Sequence, residues 1–90
     1  MKKSFYITVS GRVQGVGFRY QTRRIADLYS INGFVRNNYD GSVHIEAEGE
    51  EDRLRLFIEW CKKGPDRAIV RDIKINEIPL MNHNGFQVKF

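Results

Sequence analysis

The sequence predicts an α+β sandwich, a sheet covered on one face by two helices. Three observations carry that reading. Two stretches place apolar residues at the spacing of a helix, several others alternate with the period of a strand, and glycine-containing turns separate them. The resulting order is strand, helix, strand, strand, helix, strand, followed by one more short strand.

Each element has its own signal. Phe5, Ile7 and Val9 alternate with Tyr6, Thr8 and Ser10, so residues 4 to 10 are expected to form a strand with one buried face. Phe18, Thr22, Ile25, Ala26 and Tyr29 share one stripe of a helix expected over residues 18 to 30, with Arg23, Arg24 and Asp27 off the stripe. Asn32-Gly33 is expected to end it. Phe34 and Val35 open a second strand, and Val43, Ile45 and Ala47 alternate with His44, Glu46 and Glu48 on a third. Between them Asp40-Gly41 supplies the positive-φ residues of a tight hairpin. Glu50, Glu51 and Asp52 load the first turn of a second helix with negative charge, and Lys62 and Lys63 load its last with positive. Leu54, Phe57, Ile58 and Cys61 form its apolar stripe, and Gly64-Pro65 stops it. Alternation returns at Ile69, Arg71, Ile73 and Ile75, and again at Phe86, Val88 and Phe90. This is a ferredoxin-like βαββαβ arrangement: an antiparallel sheet, two helices on one face and a short extra C-terminal strand. Residues 1–90 are expected to be a single domain, because half of that length buries too little surface to fold alone.

Composition narrows the function classes. Apolar residues at 41% and charged residues at 29% describe an ordinary globular chain, and no apolar run approaches the roughly 20 residues of a bilayer span. The N-terminus alternates in polarity and lacks the apolar block of a signal peptide. A single cysteine, Cys61, can form neither an intrachain disulfide nor a metal site by itself, so a reducing, cytoplasmic setting is expected. The net charge of +4 sits in the first half: residues 1 to 45 carry seven basic side chains against Asp27 and Asp40. Such an excess attracts anions.

The segment Gly11-Arg12-Val13-Gln14-Gly15-Val16-Gly17-Phe18-Arg19 joins the first strand to the first helix. Backbone N–H groups at a helix start point outward and the helix dipole adds partial positive charge, so this is where an anion binds. Gly15 and Gly17 let successive N–H groups converge where side chains would obstruct, and Arg19 offers a forked guanidinium in the first helical turn. The alternative is a glycine-rich connector beside a surface arginine. No Gly-Lys-Ser/Thr closes the loop and no acid stands nearby for magnesium, which excludes a nucleotide P-loop. The spacing also excludes the dinucleotide fingerprint. A small pocket for one phosphate-like group is left.

Two stretches, VSGRVQGVGFR over residues 9 to 19 and GFVRNNYDGSVHIEAEG over residues 33 to 49, resemble the two signature motifs of the acylphosphatases. The resemblance extends to length, element order and the C-terminal strand. It implies a ferredoxin-like fold and hydrolysis of the mixed anhydride between a carboxylic acid and phosphate, with inorganic phosphate as product and no metal or cofactor. It also implies that Arg19 is the catalytic arginine, Asn37 the catalytic asparagine, and the backbone of Gly15, Val16, Gly17, Phe18 and Arg19 the phosphate cradle. By itself Asn37 reads as a turn residue beside Asn38. In the implied role its carboxamide orients an attacking water by hydrogen bonds. An acyl phosphate is already activated, so holding its oxygens and aiming water suffices, without a nucleophile or metal.

Other residue types are read as structural. Cys61 lies on an apolar stripe with no histidine near it, a core position. His44 and His83 are expected in solvent and have no metal-ligand spacing, while Glu46 and Glu48 are expected on a charged outer sheet face. Arg23 and Arg24 read as helix surface with some capacity to attract substrate, and Arg36 as exposed strand surface. Two rival classes share this architecture. An RNA-binding module fits the pI near 9.5, yet Phe34 is followed on its own face by Arg36 and Asn38 rather than by stacking aromatics. A non-catalytic anion sensor keeps the loop but has no use for Asn37. The expected partner is a small acyl phosphate, with no nucleic acid and no membrane, and nothing in the sequence requires more than a monomer.

Overall fold

A computed structural model describes residues 1–90. The elements are β1 (Lys2–Arg12), α1 (Phe18–Leu28), β2 (Asn32–Asn37), β3 (Val43–Glu50), α2 (Glu51–Lys63), β4 (Ile69–Ile78) and β5 (Phe86–Lys89). They form one five-stranded sheet in the order β4-β1-β3-β2-β5. Strands β4, β1, β3 and β2 pair antiparallel, as expected; the short β5 adds to β2 in parallel and makes the sheet mixed.

Period-two alternation sets which face is covered. Ile7 and Val9 of β1 stand opposite Ile45 and Val43 of β3, and Val35 of β2 extends the same apolar surface. Phe18 and Ala26 of α1 and Leu54, Phe57 and Cys61 of α2 close over it. Phe57 meets Phe86 of β5 with ring centroids 6.2 Å apart, and Phe18 meets Trp60 at 5.5 Å. Burying each such side chain contributes about 1.5–3 kcal/mol, so this layer supplies most of the driving force for folding. Thr22 is also fully buried, and its hydroxyl donates to the Phe18 carbonyl at 2.7 Å, which removes the cost of placing it there.

Four local expectations are corrected. Helix α1 stops at Leu28, and Ser30, with φ 57, takes the left-handed position: its N–H donates to the Asp27 carbonyl and the Ile31 N–H to that of Ala26. Gly33 therefore does not end the helix. It lies within β2 opposite Ala47, where a Cβ would run into the Glu46 carbonyl, and its N–H donates to the Gly85 carbonyl at 2.9 Å. In the hairpin only Gly41 has positive φ; Asp40 contributes its carboxylate, which accepts from the Ser42 N–H at 2.9 Å and from the Ser42 hydroxyl. In β4 a register shift opposite Ser10 and Gly11 changes the phase, so Val70 and Ile73 pack on the core while Ile69 is exposed. Phe90, expected to continue the alternation of β5, lies beyond it and is fully exposed.

Candidate active site

The loop after β1 is anchored by its apolar residues and opened by its glycines. Val13 and Val16 are buried, which fixes the path between β1 and α1. Gly15 and Gly17 adopt φ 72 and 79, the left-handed region that other residues enter only at a cost of about 1–2 kcal/mol. A Cβ at either position meets no protein atom within 4 Å. Glycine is thus required by backbone conformation, and the space before it faces a cavity rather than packed protein.

Gly17 is the N-cap of α1, with no side-chain cap and no acidic residue in the first turn. The Gln21 N–H donates to the Gly17 carbonyl at 3.1 Å, so the N–H groups of Phe18, Arg19 and Tyr20 precede the helical ladder. This is the arrangement that favours an anion. Beside it, the Arg19 Nη1 donates to the Lys89 carbonyl at 3.0 Å and the guanidinium lies 4.6 Å from the centroid of the Phe90 ring. The C-terminal end of the chain thereby holds a side chain that has four further N–H donors.

Asn37 reaches the same cavity from the end of β2. Its side chain lies on the helix-covered side with Val35, and its Oδ1 is buried with no hydrogen-bond partner in the protein. An orphaned buried carboxamide oxygen costs about 1–3 kcal/mol, and a fold retains such an atom where it has another use. The cavity, of about 400 Å³, is lined by Gly15, Gly17, Phe18, Arg19, Tyr20, Arg23, Asn37 and Phe90 among others. The two sequence-distant segments singled out above therefore meet at one place. Asn37 and Phe90 also border a second cleft, with Gln14, Arg36, Asn38 and Tyr39.

Of the remaining candidates only Arg23 borders this cavity. Cys61 is fully buried in α2, and burial pushes its thiol well above the ordinary range, so it is a core residue. Arg23 lines the cavity rim, 3.9 Å from Asp27, whereas Arg24 is exposed outside it. The histidines are not solvated as expected. His44 is bonded by the Tyr6 hydroxyl at 2.7 Å and the Ser42 hydroxyl at 3.0 Å. Burial holds its pKa down and Arg36 adds to that, with partial compensation from Asp40. His83 lies 2.8 Å from Glu46. Glu48 is 4% exposed and accepts the N–H groups of Met81, Asn82 and His83, which ties down the connection before β5. Arg36 is half-buried and donates to the Tyr6 hydroxyl at 3.2 Å. No group of three or more His, Cys, Asp or Glu side chains is placed to hold a metal ion. No helix is long and apolar enough to cross a membrane.

Three residues beside the cavity and its neighbouring cleft were not singled out from the sequence. The Lys89 carbonyl and Phe90 ring that hold Arg19 lie some 70 residues away in the chain and follow no motif. Gln14 stands inside the loop motif and donates from Nε2 to the Asn38 and Ser42 carbonyls at 2.7 and 3.0 Å.

Fold and cavity together describe an α+β sandwich with a glycine-lined, arginine-bearing cleft at one helix start. Comparison with known proteins makes this specific. A family model described as Acylphosphatase matches residues 5–88. The acylphosphatase of Thermotoga petrophila is 44% identical over 88 residues, 98% of each chain, and that of Archaeoglobus fulgidus is 46% identical over 84 residues, 93% of this chain and 94% of the other. The crystal structure of acylphosphatase from Bacillus subtilis superimposes over the full length of both chains with a TM-score of 0.94 at 42% identity. The chain belongs to the acylphosphatase family.

Proposed function

We propose that this protein hydrolyses acyl phosphates to a carboxylate and inorganic phosphate by direct attack of water, with Arg19 and Asn37 in separate roles. The observation that carries this reading is the buried, unpartnered Asn37 Oδ1 in the same cavity as Gly15, Gly17 and Arg19. In it, the N–H groups of Gly15, Val16, Gly17, Phe18 and Arg19 and the free guanidinium donors of Arg19 hold the phosphoryl oxygens. Asn37 accepts a hydrogen bond from a water and aims it at phosphorus. The water oxygen bonds to phosphorus while the phosphorus–acyl oxygen bond breaks, its electron pair leaving on the carboxylate and both water protons remaining on the phosphate product. Asn37 takes no proton. Residues 1–90 act as one monomeric domain, and no cofactor is required.

The open sheet face favours this reading over an RNA site. Its aromatic rings are partly covered by the chain itself: Lys89 Nζ lies 4.2 Å from the Phe34 centroid, His83 stands edge-on to Phe34, and Tyr6 meets His44 edge-on. Base stacking needs such rings bare.

The test is turnover of acetyl phosphate by wild type and Asn37→Ala, in EDTA, with inorganic phosphate as competitor and thermal unfolding measured beside it. Wild type is expected to turn over in chelator and to be inhibited by phosphate. Asn37→Ala is expected to lose on the order of 10²-fold in kcat at nearly unchanged phosphate affinity. Activity that requires a divalent ion, or an Asn37→Ala protein that melts early yet turns over normally, contradicts the assignment.

A further inference from the structure

Gln14 joins the two segments that build the cavity. Its Nε2 carries two hydrogens, and the two carbonyls it faces, those of Asn38 and Ser42, lie at 2.7 and 3.0 Å, so both are used. Those carbonyls are 24 and 28 residues away in sequence. Each already accepts one backbone bond: the Asn38 N–H donates to the Ser42 carbonyl at 2.9 Å and the Gly41 N–H to the Asn38 carbonyl at 3.1 Å. Gln14 fills the second acceptor position on each. The Asp40 carboxylate ties the same turn from its outer side through Ser42. One of the turn's fixing points is thus a side chain of the glycine loop.

The placement along the chain gives this contact its consequence. Gln14 immediately precedes Gly15, the first residue of the cradle, and Asn38 immediately follows Asn37. A rotation of the turn that lengthened either Gln14 bond would swing the end of β2, and with it Asn37, relative to the loop. Asn37 has no anchor of its own on Oδ1. Its position depends on the backbone that carries it.

We propose that Gln14 is a positioning residue: its carboxamide fixes the distance between the anion-holding loop and Asn37, so that a water held by Asn37 stays in line with a phosphoryl group held by the loop. This inference rests on the roles proposed above for the loop and for Asn37. Both Nε2 hydrogens of Gln14 are taken by the two carbonyls, so its amide is assigned no contact with the phosphoryl group. Its effect is expected in kcat and not in phosphate binding, because a misplaced water costs rate while the cradle amides remain where Val13 and Val16 fix them.

The experiment combines Gln14→Met, which keeps length and removes both donors, Gln14→Glu, which keeps shape and sets a carboxylate against two carbonyls, and a double-mutant cycle with Asn37→Ala. Acetyl phosphate kinetics, the inhibition constant of inorganic phosphate and thermal unfolding are measured for each. Gln14→Met is expected to lower kcat about tenfold with the phosphate constant within about twofold of wild type, and Gln14→Glu to lower kcat more while its added charge beside the cradle also weakens phosphate binding. In the Asn37→Ala background, Gln14→Met is expected to cost little further rate, since the residue it positions is gone. Gln14→Leu, also uncharged and without donors, serves equally if the methionine variant does not fold. Normal kcat in either folded variant overturns the proposal. So do losses that multiply in the double variant, or, in Gln14→Met, a phosphate constant that rises in step with the fall in kcat. Asn37→Ala with wild-type kcat overturns the role of Asn37 and this proposal with it, whereas the expected Asn37→Ala loss with multiplying effects overturns Gln14 alone.

Discussion

Helix α2 opens on Glu51 and Asp52, whereas the first turn of α1 contains Arg19 and no acid at all. Both helix starts present outward N–H groups and the positive end of a dipole. At α2 the chain neutralises that end with its own carboxylates. At α1 it caps with Gly17 in a left-handed conformation, supplies no side-chain acceptor, and adds a guanidinium that the dipole disfavours. The residues at the start of α1 stabilise the helix less than those at the start of α2, and the helix is held instead by Phe18, Thr22 and Ala26 in the core. A third cluster of amides shows the same device closed internally. The N–H groups of Met81, Asn82 and His83 converge on the Glu48 carboxylate, with Asn82 at φ 57. Where the fold needs an anion for stability it supplies one from its own sequence, and the start of α1 is the place where it does not.

The strongest way to break this contrast is at Arg19. Arg19→Lys keeps the charge but loses the fork, and is expected to lower kcat/KM on the order of 10²-fold and to weaken phosphate binding. Wild-type kinetics in that variant would remove Arg19 from the site. Next in size is the internal cluster. Burial raises the Glu48 carboxyl, but the N–H groups of Met81, His83 and Asn82, with help from His83, hold it below its ordinary value. A lowered folded pKa means that the stabilisation is complete above the ordinary carboxylate range and is lost as pH falls through the folded value. Glu48→Gln is therefore expected to cost about 1–3 kcal/mol at neutral pH and to flatten the fall in stability towards acid, read by denaturant unfolding across pH. An unchanged acid profile would show that this carboxylate is not a source of the pH dependence.

Tyr20→Glu makes α1 resemble α2. Tyr20 is exposed in the first turn and lines the cavity, so the new carboxylate is expected to stabilise the helix by about 0.3–1 kcal/mol while raising the phosphate inhibition constant about tenfold. A gain in stability without a loss of phosphate binding would separate the helix dipole from the anion site. The smallest effect is the reciprocal change. Asp52→Asn is expected to lower stability by about 0.5 kcal/mol with kcat/KM unaltered, because α2 begins away from the cavity.

Much of this was legible in the sequence because periodicity reports faces. The stripes at Phe18, Thr22 and Ala26 and at Leu54, Phe57 and Cys61 place both helices on the sheet, and Gly15, Gly17 and Arg19 mark the loop by type and spacing alone. Asn37 needed its motif, since an asparagine before a turn looks the same whether it holds a turn or a water. Periodicity does not report partners. The polar face of β3 looks alike for a solvated carboxylate and for Glu48 gripping three amides from residues 81 to 83. Gln14 is likewise one loop residue until the fold brings Asn38 and Ser42 to it. Gly33 read as a helix stop because glycine signals both a left-handed turn and a close backbone approach, and only the pairing of β2 with β3 distinguishes them.

The central claim, that the start of α1 and not that of α2 is built for a phosphoryl group, is tested most directly by amide NMR shifts during titration with inorganic phosphate at fixed pH and ionic strength. Saturable shifts are expected at Gly15, Val16, Gly17, Phe18 and Arg19, with the Asn37 side-chain amide responding and Asp52, Arg53 and Leu54 still. Shifts absent from the loop, or equal at both helix starts, would contradict it.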